Sequence, residues 1–332
     1  MLVFVALSAG LAIGAASEVG TLDTSVELSP AQATAAPAAN TAKGTFAFGN
    51  EYWHSDSKIG SGGFLSGLRG FEHFYTPMGN PIYFETPFNN TSLRGLFLNH
   101  GFATESQLGG GYVNVAALQI RLAITERLGF IATKDGYSWL RANGLPEESG
   151  WNDLAAGLKY VFYVDREADL VMTGGLKYNF GSGTDEVLQG STCEIIPFLS
   201  IAKGWDRFHT IGGLTYRLPT DGDDGNDVFQ WDLHADYEIA PKTLPGFAPM
   251  LEVHGLHYLS DGTKLPLSVG GLDYANIGSS DVSGSTVIWG TLGARWKLSP
   301  HLSLGGAYEY PFTNKNADIM GDRISFDIEL TY

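Results

Sequence analysis

The chain has 332 residues and a formal charge of −16, with 43 Gly, 19 Phe, 15 Tyr, 7 Trp and one Cys. The acidic balance argues against a nucleic-acid partner, which needs a basic face, and the lone Cys193 excludes an internal disulfide and does not suit a metal cluster. Mean hydropathy is near zero and no apolar run reaches the roughly 18 residues of a membrane-crossing helix, which excludes a helical membrane protein but not a barrel of alternating strands.

Residues 2–16 are nearly all apolar or small and end in Gly14-Ala15-Ala16, the pattern of a secretory signal peptide over 1–16, here without its basic n-region. Residues 17–43 read as a disordered linker, rich in Ala, Pro and Thr from 27 onward. An N-terminal segment, 44–92, follows. Within it Phe64, Leu68, Phe71 and Tyr75 recur at helical spacing, predicting a short amphipathic helix over 61–75. Asn80-Pro81 and Thr86-Pro87 then punctuate an extended stretch. Such an apolar segment ahead of a barrel is expected to enter the lumen or lie beneath it as a plug.

From residue 93 to 332 the pattern is all-β. Twelve strands are expected, near 93–102, 111–125, 128–136, 151–163, 168–181, 191–203, 206–218, 227–239, 247–259, 285–298, 301–312 and 322–332. In the eighth, Phe229, Trp231, Leu233, Ala235, Tyr237 and Ile239 alternate with Gln230, Asp232, His234, Asp236 and Glu238. Period two makes one face greasy and the other wet. The fifth, seventh and eleventh strands repeat it. The second changes parity near Ala116-Ala117, predicting a bulge. In the sixth, Pro197 and Ile195-Ile196 leave the facing ambiguous.

Links after even-numbered strands are short, and those after odd-numbered strands are mostly longer: 137–150, 219–226, 260–284 and 313–321. Transmembrane barrels have short periplasmic turns and longer outer loops. Trp139, Trp151, Tyr163, Tyr216, Trp231, Tyr237 and Tyr310 fall near strand ends, as interfacial girdles require. The last strand alternates through Ile324, Phe326, Ile328, Leu330 and Tyr332. Phe326 and Tyr332 are the expected C-terminal assembly signal.

The stretches Asn80-Pro81-Ile82-Tyr83-Phe84-Glu85, Ile131-Ala132-Thr133-Lys134-Asp135-Gly136-Tyr137, Asp153-Leu154-Ala155-Ala156-Gly157-Leu158-Lys159-Tyr160 and His257-Tyr258-Leu259-Ser260-Asp261-Gly262 carry a resemblance. The chain resembles, over about residues 80–332, bacterial barrel proteins loosely named for the meta-pathway of phenol degradation, labelled transporter-like, and within them a subgroup of unassigned function. The resemblance implies an outer-membrane barrel and brings no catalytic residues.

Alternation assigns inward-facing charges. Arg121, Lys159, Lys177 and Arg217 form a basic wall, and Asp232, Asp236, Glu238, Glu252, Glu309, Asp327 and Glu329 an acidic wall opposite, interrupted by Arg94 and Arg295. These charges either set up a transverse field across a pore or bridge one another in a closed lumen. His234 and His254 also face inward. The expected hairpin register pairs 234 with 254, 236 with 252 and 232 with 256, placing both imidazoles beside Asp236 and Glu252. Imidazole with carboxylate suits metal binding or acid/base chemistry, but no nucleophile motif accompanies it, and a hydrogen-bonded lumen network is the simpler reading. Asp221 to Asp227 is superficially like a calcium loop but lacks the twelfth-position Glu.

The sequence therefore predicts an antiparallel up-and-down transmembrane barrel in the outer membrane of a diderm bacterium, a porin-like channel for small molecules rather than an enzyme, with no cofactor and no metal. Its expected partners are outer-membrane lipids, the barrel-assembly machinery and small-molecule solutes. The alternatives are a barrel hydrolase using the His234/His254 region and a closed structural or adhesive barrel.

Overall fold

The computed structural model describes residues 65–332, apart from 191, 223, 265, 267, 269–272, 274 and 314–318. The expected signal peptide, the linker, residues 44–64 and Asp223 lie outside the described residues.

Among the described residues the chain forms fourteen strand segments and one 3-10 turn, Asp185–Val187. They are β1 Ser92–Phe102, β2 Gly111–Ala123, β3 Leu128–Ala132, β4 Tyr137–Ala142, β5 Glu148–Trp151, β6 Ala155–Asp165, β7 Leu170–Asn179, β8 Glu194–Trp205, β9 Phe208–Pro219, β10 Val228–Tyr237, β11 Phe247–Tyr258, β12 Thr286–Ser299, β13 Leu302–Pro311 and β14 Met320–Thr331. β3 and β4 both pair with β2, at opposite ends of it; β5 pairs with β4, and β6 with β3. β3 with β4, and β5 with β6, each make one wall strand with a break in it, so the wall has twelve antiparallel strands. β1 pairs with both β2 and β14, which closes the barrel, and β5, beside the 143–147 loop, has β4 as its one strand partner among the described residues.

The period-two sequence sorts as expected. On β10 Asp232, His234 and Asp236 are buried while Leu233 is 59% exposed; Leu158, Leu176, Leu199, Leu251, Leu292, Phe326 and Ile328 also face outward. β8 resolves cleanly, with Ile196 and Phe198 buried and Ile195 and Leu199 exposed. Trp139, Trp151, Tyr163, Tyr237 and Tyr310 are exposed, whereas Tyr216 and Trp231 are half-buried.

Three expectations are corrected. First, β2 pairs with β1 in unbroken register, so no bulge occurs at Ala116-Ala117. The irregularity sits on its partner: Ala116 pairs with Tyr137 but Ile120 with Ala132, four steps on β2 against five across it. Second, 137–150 is mostly strand, and only 143–147 is loop. Third, residues 65–75 form turns and bends rather than a helix. Leu65, Gly67 and Gly70 all have positive φ, which helical backbone cannot use. The apolar periodicity marked burial without helix: Leu68, Phe71, Phe74 and Phe84 pack with Val161, Val171, Ala202 and Ile211 of the wall.

The links 124–127, 166–169, 206–207, 238–246 and 300–301 share one end of the barrel, all of them four residues or fewer except 238–246, and the loops 103–110, 180–193, 220–227, 259–285 and 312–319 share the other. At the wall breaks, Lys134 donates to Asp153 (2.9 Å), whose other oxygen accepts the Gly183 and Gly190 N–H groups (2.9 Å each).

Candidate functional site

Residues 68–89 dip into the barrel from the short-turn end and return. The base of this inner loop is a hydrogen bond from Leu68 N–H to the Asn89 carbonyl (2.7 Å), and the Asn89 amide donates to the carbonyls of Thr125 and Glu126 in the β2–β3 turn. Near its tip Asn80 has φ +46° and its carbonyl accepts from Phe84 N–H (2.9 Å). Gly79 fits where no side chain can: a Cβ there would collide with His254, Thr291 and Glu252.

The loop meets cations on β2, β6 and β7. Arg121 donates through Nε and Nη2 to the two oxygens of Glu85 (2.9 and 2.8 Å), a bidentate fork. Lys159 Nζ adds a bond to Glu85 (2.8 Å) and others to the Thr86 and Phe88 carbonyls. Lys177 Nζ donates to the Ile82 carbonyl (2.8 Å) and lies over the rings of Tyr83 and Phe198. All three wall cations are buried. Burial pushes the Glu85 carboxyl up, but Arg121 and Lys159 outweigh it and hold the group well below the usual carboxylate range.

On β9 to β11 the chemistry is reversed. Glu252 accepts from Met78 N–H (2.9 Å) and Gly79 N–H (2.6 Å), and Asp232 accepts from the Asn80 amide (2.8 Å). These carboxylates belong to an alternating chain. His209 Nδ1 meets Asp236 (2.6 Å), and Asp236 meets His234 Nε2 (2.9 Å). His234 Nδ1 meets Glu252 (2.7 Å), Glu252 meets His254 Nε2 (3.3 Å), and His254 Nδ1 meets Asp232 (2.7 Å). Ionised carboxylates only accept hydrogen bonds, so an imidazole with both nitrogens against carboxylates carries two N–H groups and a positive charge. His234 and His254 meet that condition, and this arc balances most of its own charge. The expected register was two residues off: 234 pairs with 252 and 232 with 254. Ala240 accepts from both Thr243 and Leu244, a turn that displaces the pairing. A shift of two keeps parity, so every side chain still faces as expected.

Elsewhere wall cations pair with wall carboxylates. Asp327 accepts from Arg94 (2.5 Å) and Arg295 (2.6 Å), and Glu329 lies 3.5 Å from Arg295. Arg94 and Arg295 also donate to the loop carbonyls of Pro77 and Thr76. Lys297 donates to the carbonyls of Glu72, His73 and Phe74. Arg217 forks onto Glu194 (3.0 and 3.2 Å) with its Cζ 4.4 Å from the centre of the Tyr83 ring. Asn276, from the long loop after β11, donates to the same Glu194 (2.8 Å). Arg323 binds Asp273 from that loop and lies 3.5 Å from Glu309.

The inward positions thus hold Arg121, Lys159, Lys177, Arg217, Asp232, Asp236, Glu252, Glu309, Asp327, Glu329, His234 and His254, all buried. Glu238 differs: it is half-buried just beyond β10 and accepts from Gly246 N–H. Two clean walls do not form, because Glu194, Lys297 and Arg323 join Arg94 and Arg295 in mixing the signs. Strand parity could have found Glu194, Lys297, Arg323 and His209. Glu85, Asn80 and Asp273 lie outside the strands and carry no such signal. Phe326 and Tyr332 are exposed on the outer face of the closing strand and at its end.

No protein-family model matches the chain, and no curated protein matches it. Among solved structures it is similar to an outer membrane channel from Pseudomonas putida F1, at 10% identity and a TM-score of 0.55, over 78% of this chain and 100% of that one. It is also similar to the NanC porin (11% identity, TM-score 0.44, 73% and 98% covered) and the KdgM porin (10% identity, TM-score 0.43, 73% and 99% covered). At such identities the likeness is one of fold.

Proposed function

We propose that this chain is an outer-membrane channel for small molecules, whose lumen is occupied by the inner loop 68–89. The observation that carries this reading is the inversion of the wall, with leucine and aromatic side chains outside and ionised side chains inside. Only a surface meeting lipid can expose so much apolar area around a charged interior. The short turns then face the periplasm and the long loops the outside. The loop is seated as a plug, because its contacts to the wall are non-covalent and it reaches β1, β2, β6, β7 and β9 to β12. The terminal strand, with Phe326 and Tyr332, closes the barrel and is the element we assign to recognition by the barrel-assembly machinery. The resemblance to the meta-pathway barrels supports the same class and leaves the solute unnamed. A hydrolase reading is disfavoured at His234, whose two ring nitrogens both meet carboxylates, and by the lack of any nucleophile motif in the sequence around the pair. The test is planar-bilayer conductance of the purified chain. Discrete ion-conducting steps are expected, and a silent bilayer holding folded protein would favour the closed structural barrel.

A further inference from the structure

Most cations of the inner wall have a carboxylate partner on the wall or in its links. Arg94 and Arg295 have Asp327, Arg217 has Glu194, Arg323 has Glu309 and Lys134 has Asp153. The cluster on β2, β6 and β7 is different. Among the described residues, the ion-pair partner of Arg121 and of Lys159 is Glu85, a residue of the inner loop. Lys177 beside them makes its hydrogen bond to another loop atom, the Ile82 carbonyl. Among the described residues the wall gives Arg121 and Lys159 no carboxylate in ion-pair contact, and the loop supplies that anion.

The geometry is that of carboxylate recognition. The Arg121 fork engages both oxygens of one planar carboxylate, and Lys159 caps one of them. Arg121 Nη1 is buried in the same place without a hydrogen-bond partner, so the site has a donor to spare. Withdrawing the loop with nothing in its place gives up the Glu85 ion pairs and leaves the wall cations with water alone. Withdrawal is far easier if another carboxylate enters as Glu85 leaves. A ligand that binds only the undocked state shifts the equilibrium toward it.

Resting on the channel reading above, we infer that Arg121 and Lys159 form a recognition site for a small organic carboxylate. Glu85 is its tethered occupant, and exchange of Glu85 for a solute carboxylate unseats the loop. The acidic arc cannot serve this way, since it presents carboxylates to the loop rather than cations.

The experiment uses the full chain in detergent, with benzoate as probe and benzamide as its uncharged counterpart, read by isothermal calorimetry. Glu85→Gln removes the tethered competitor and is expected to bind benzoate at least tenfold more tightly than the unaltered chain. Adding Arg121→Lys, which keeps the charge and loses the fork, should abolish that gain. Benzamide should not bind. Heat-modifiable mobility confirms that each variant is folded, and Lys159→Gln in the Glu85→Gln background replaces Arg121→Lys if the latter misfolds. Equal benzoate affinity with and without Glu85, or equal affinity for benzamide, would overturn the site. In bilayers, millimolar benzoate should raise conductance where the same ionic strength of chloride does not. Binding that obeys these rules with no conductance would uphold the site and count against the channel instead.

Discussion

Two arcs of the inner wall hold one loop by opposite means. On β2, β6 and β7 the wall offers ammonium and guanidinium groups, and the loop answers with the carbonyls of Ile82, Thr86 and Phe88 and the Glu85 carboxylate. On β10 and β11 the wall offers carboxylates, and the loop answers with Met78 N–H, Gly79 N–H and the Asn80 amide. Every peptide unit carries a donor and an acceptor, so a single segment can satisfy walls of both signs. The arcs differ in what balances them. The acidic arc contains its own imidazolium groups, whereas the basic arc depends on the loop. Losing the loop should therefore disturb one arc and spare the other.

The largest effect is expected within the self-balanced arc. Glu252→Ala takes the carboxylate from one ring nitrogen each of His234 and His254, which keep only Asp236 and Asp232, and leaves two loop N–H groups without acceptors. Breaking a buried ion pair this way costs about 3–5 kcal/mol, read as a lowered urea midpoint for the whole barrel. Lys177→Gln on the basic arc removes one hydrogen bond to a charged group, worth about 1.5–3 kcal/mol. Its effect should fall on loop seating, read as protease cleavage between residues 68 and 89. Equal unfolding midpoints for the two variants would erase the distinction between the arcs.

Gly79→Leu tests the contact between the loop and the acidic arc sterically. The added side chain meets His254, Thr291 and Glu252, so the tip must lift. The barrel should keep its heat-modifiable mobility while conductance rises.

Charge selectivity separates the arcs more gently. With the loop removed, the combined change Asp232→Asn, Asp236→Asn and Glu252→Gln should shift the reversal potential toward anions. Lys177→Gln with Arg217→Gln should shift it toward cations. Both shifts should be most visible at low salt, where screening is weak. A potential that ignores both sets would mean that these residues do not line the conducting path.

The smallest expected effect is that of acid on Glu85. Its carboxyl is held below its ordinary value in the folded chain, so the stabilisation is present above the unfolded value and is lost only as pH falls through the depressed one. The Glu85 contacts should therefore hold at pH 4 as they do at pH 7. Greater access of pepsin at pH 4 and of chymotrypsin at pH 7 to residues 80–88 in Glu85→Gln than in the unaltered chain, by the same factor at both pH values, is the expected result.

How much of this was legible in the sequence follows from which physical rule governed each part. Strand parity is local and robust, so it placed Asp232, Lys177 and Arg121 on the inner face, and even a register two residues off left that facing intact. The link between β10 and β11 set the register, and turn geometry such as that at Ala240 to Leu244 has no periodic signature. Leu68, Phe71 and Tyr75 showed that the N-terminal segment is buried, but spacing alone could not tell a helix from a folded-back loop whose glycines take positive φ. Glu85 was invisible as a partner. Nothing near it in sequence is basic, and its ligands lie 36 and 74 residues away.

The most direct test of the account is the single-channel conductance of a chain lacking residues 44–85, against that of the full chain in the same bilayer. An inner loop seated in the lumen predicts a clear rise in conductance with the barrel still folded. Equal conductance would place the loop outside the path and contradict the account.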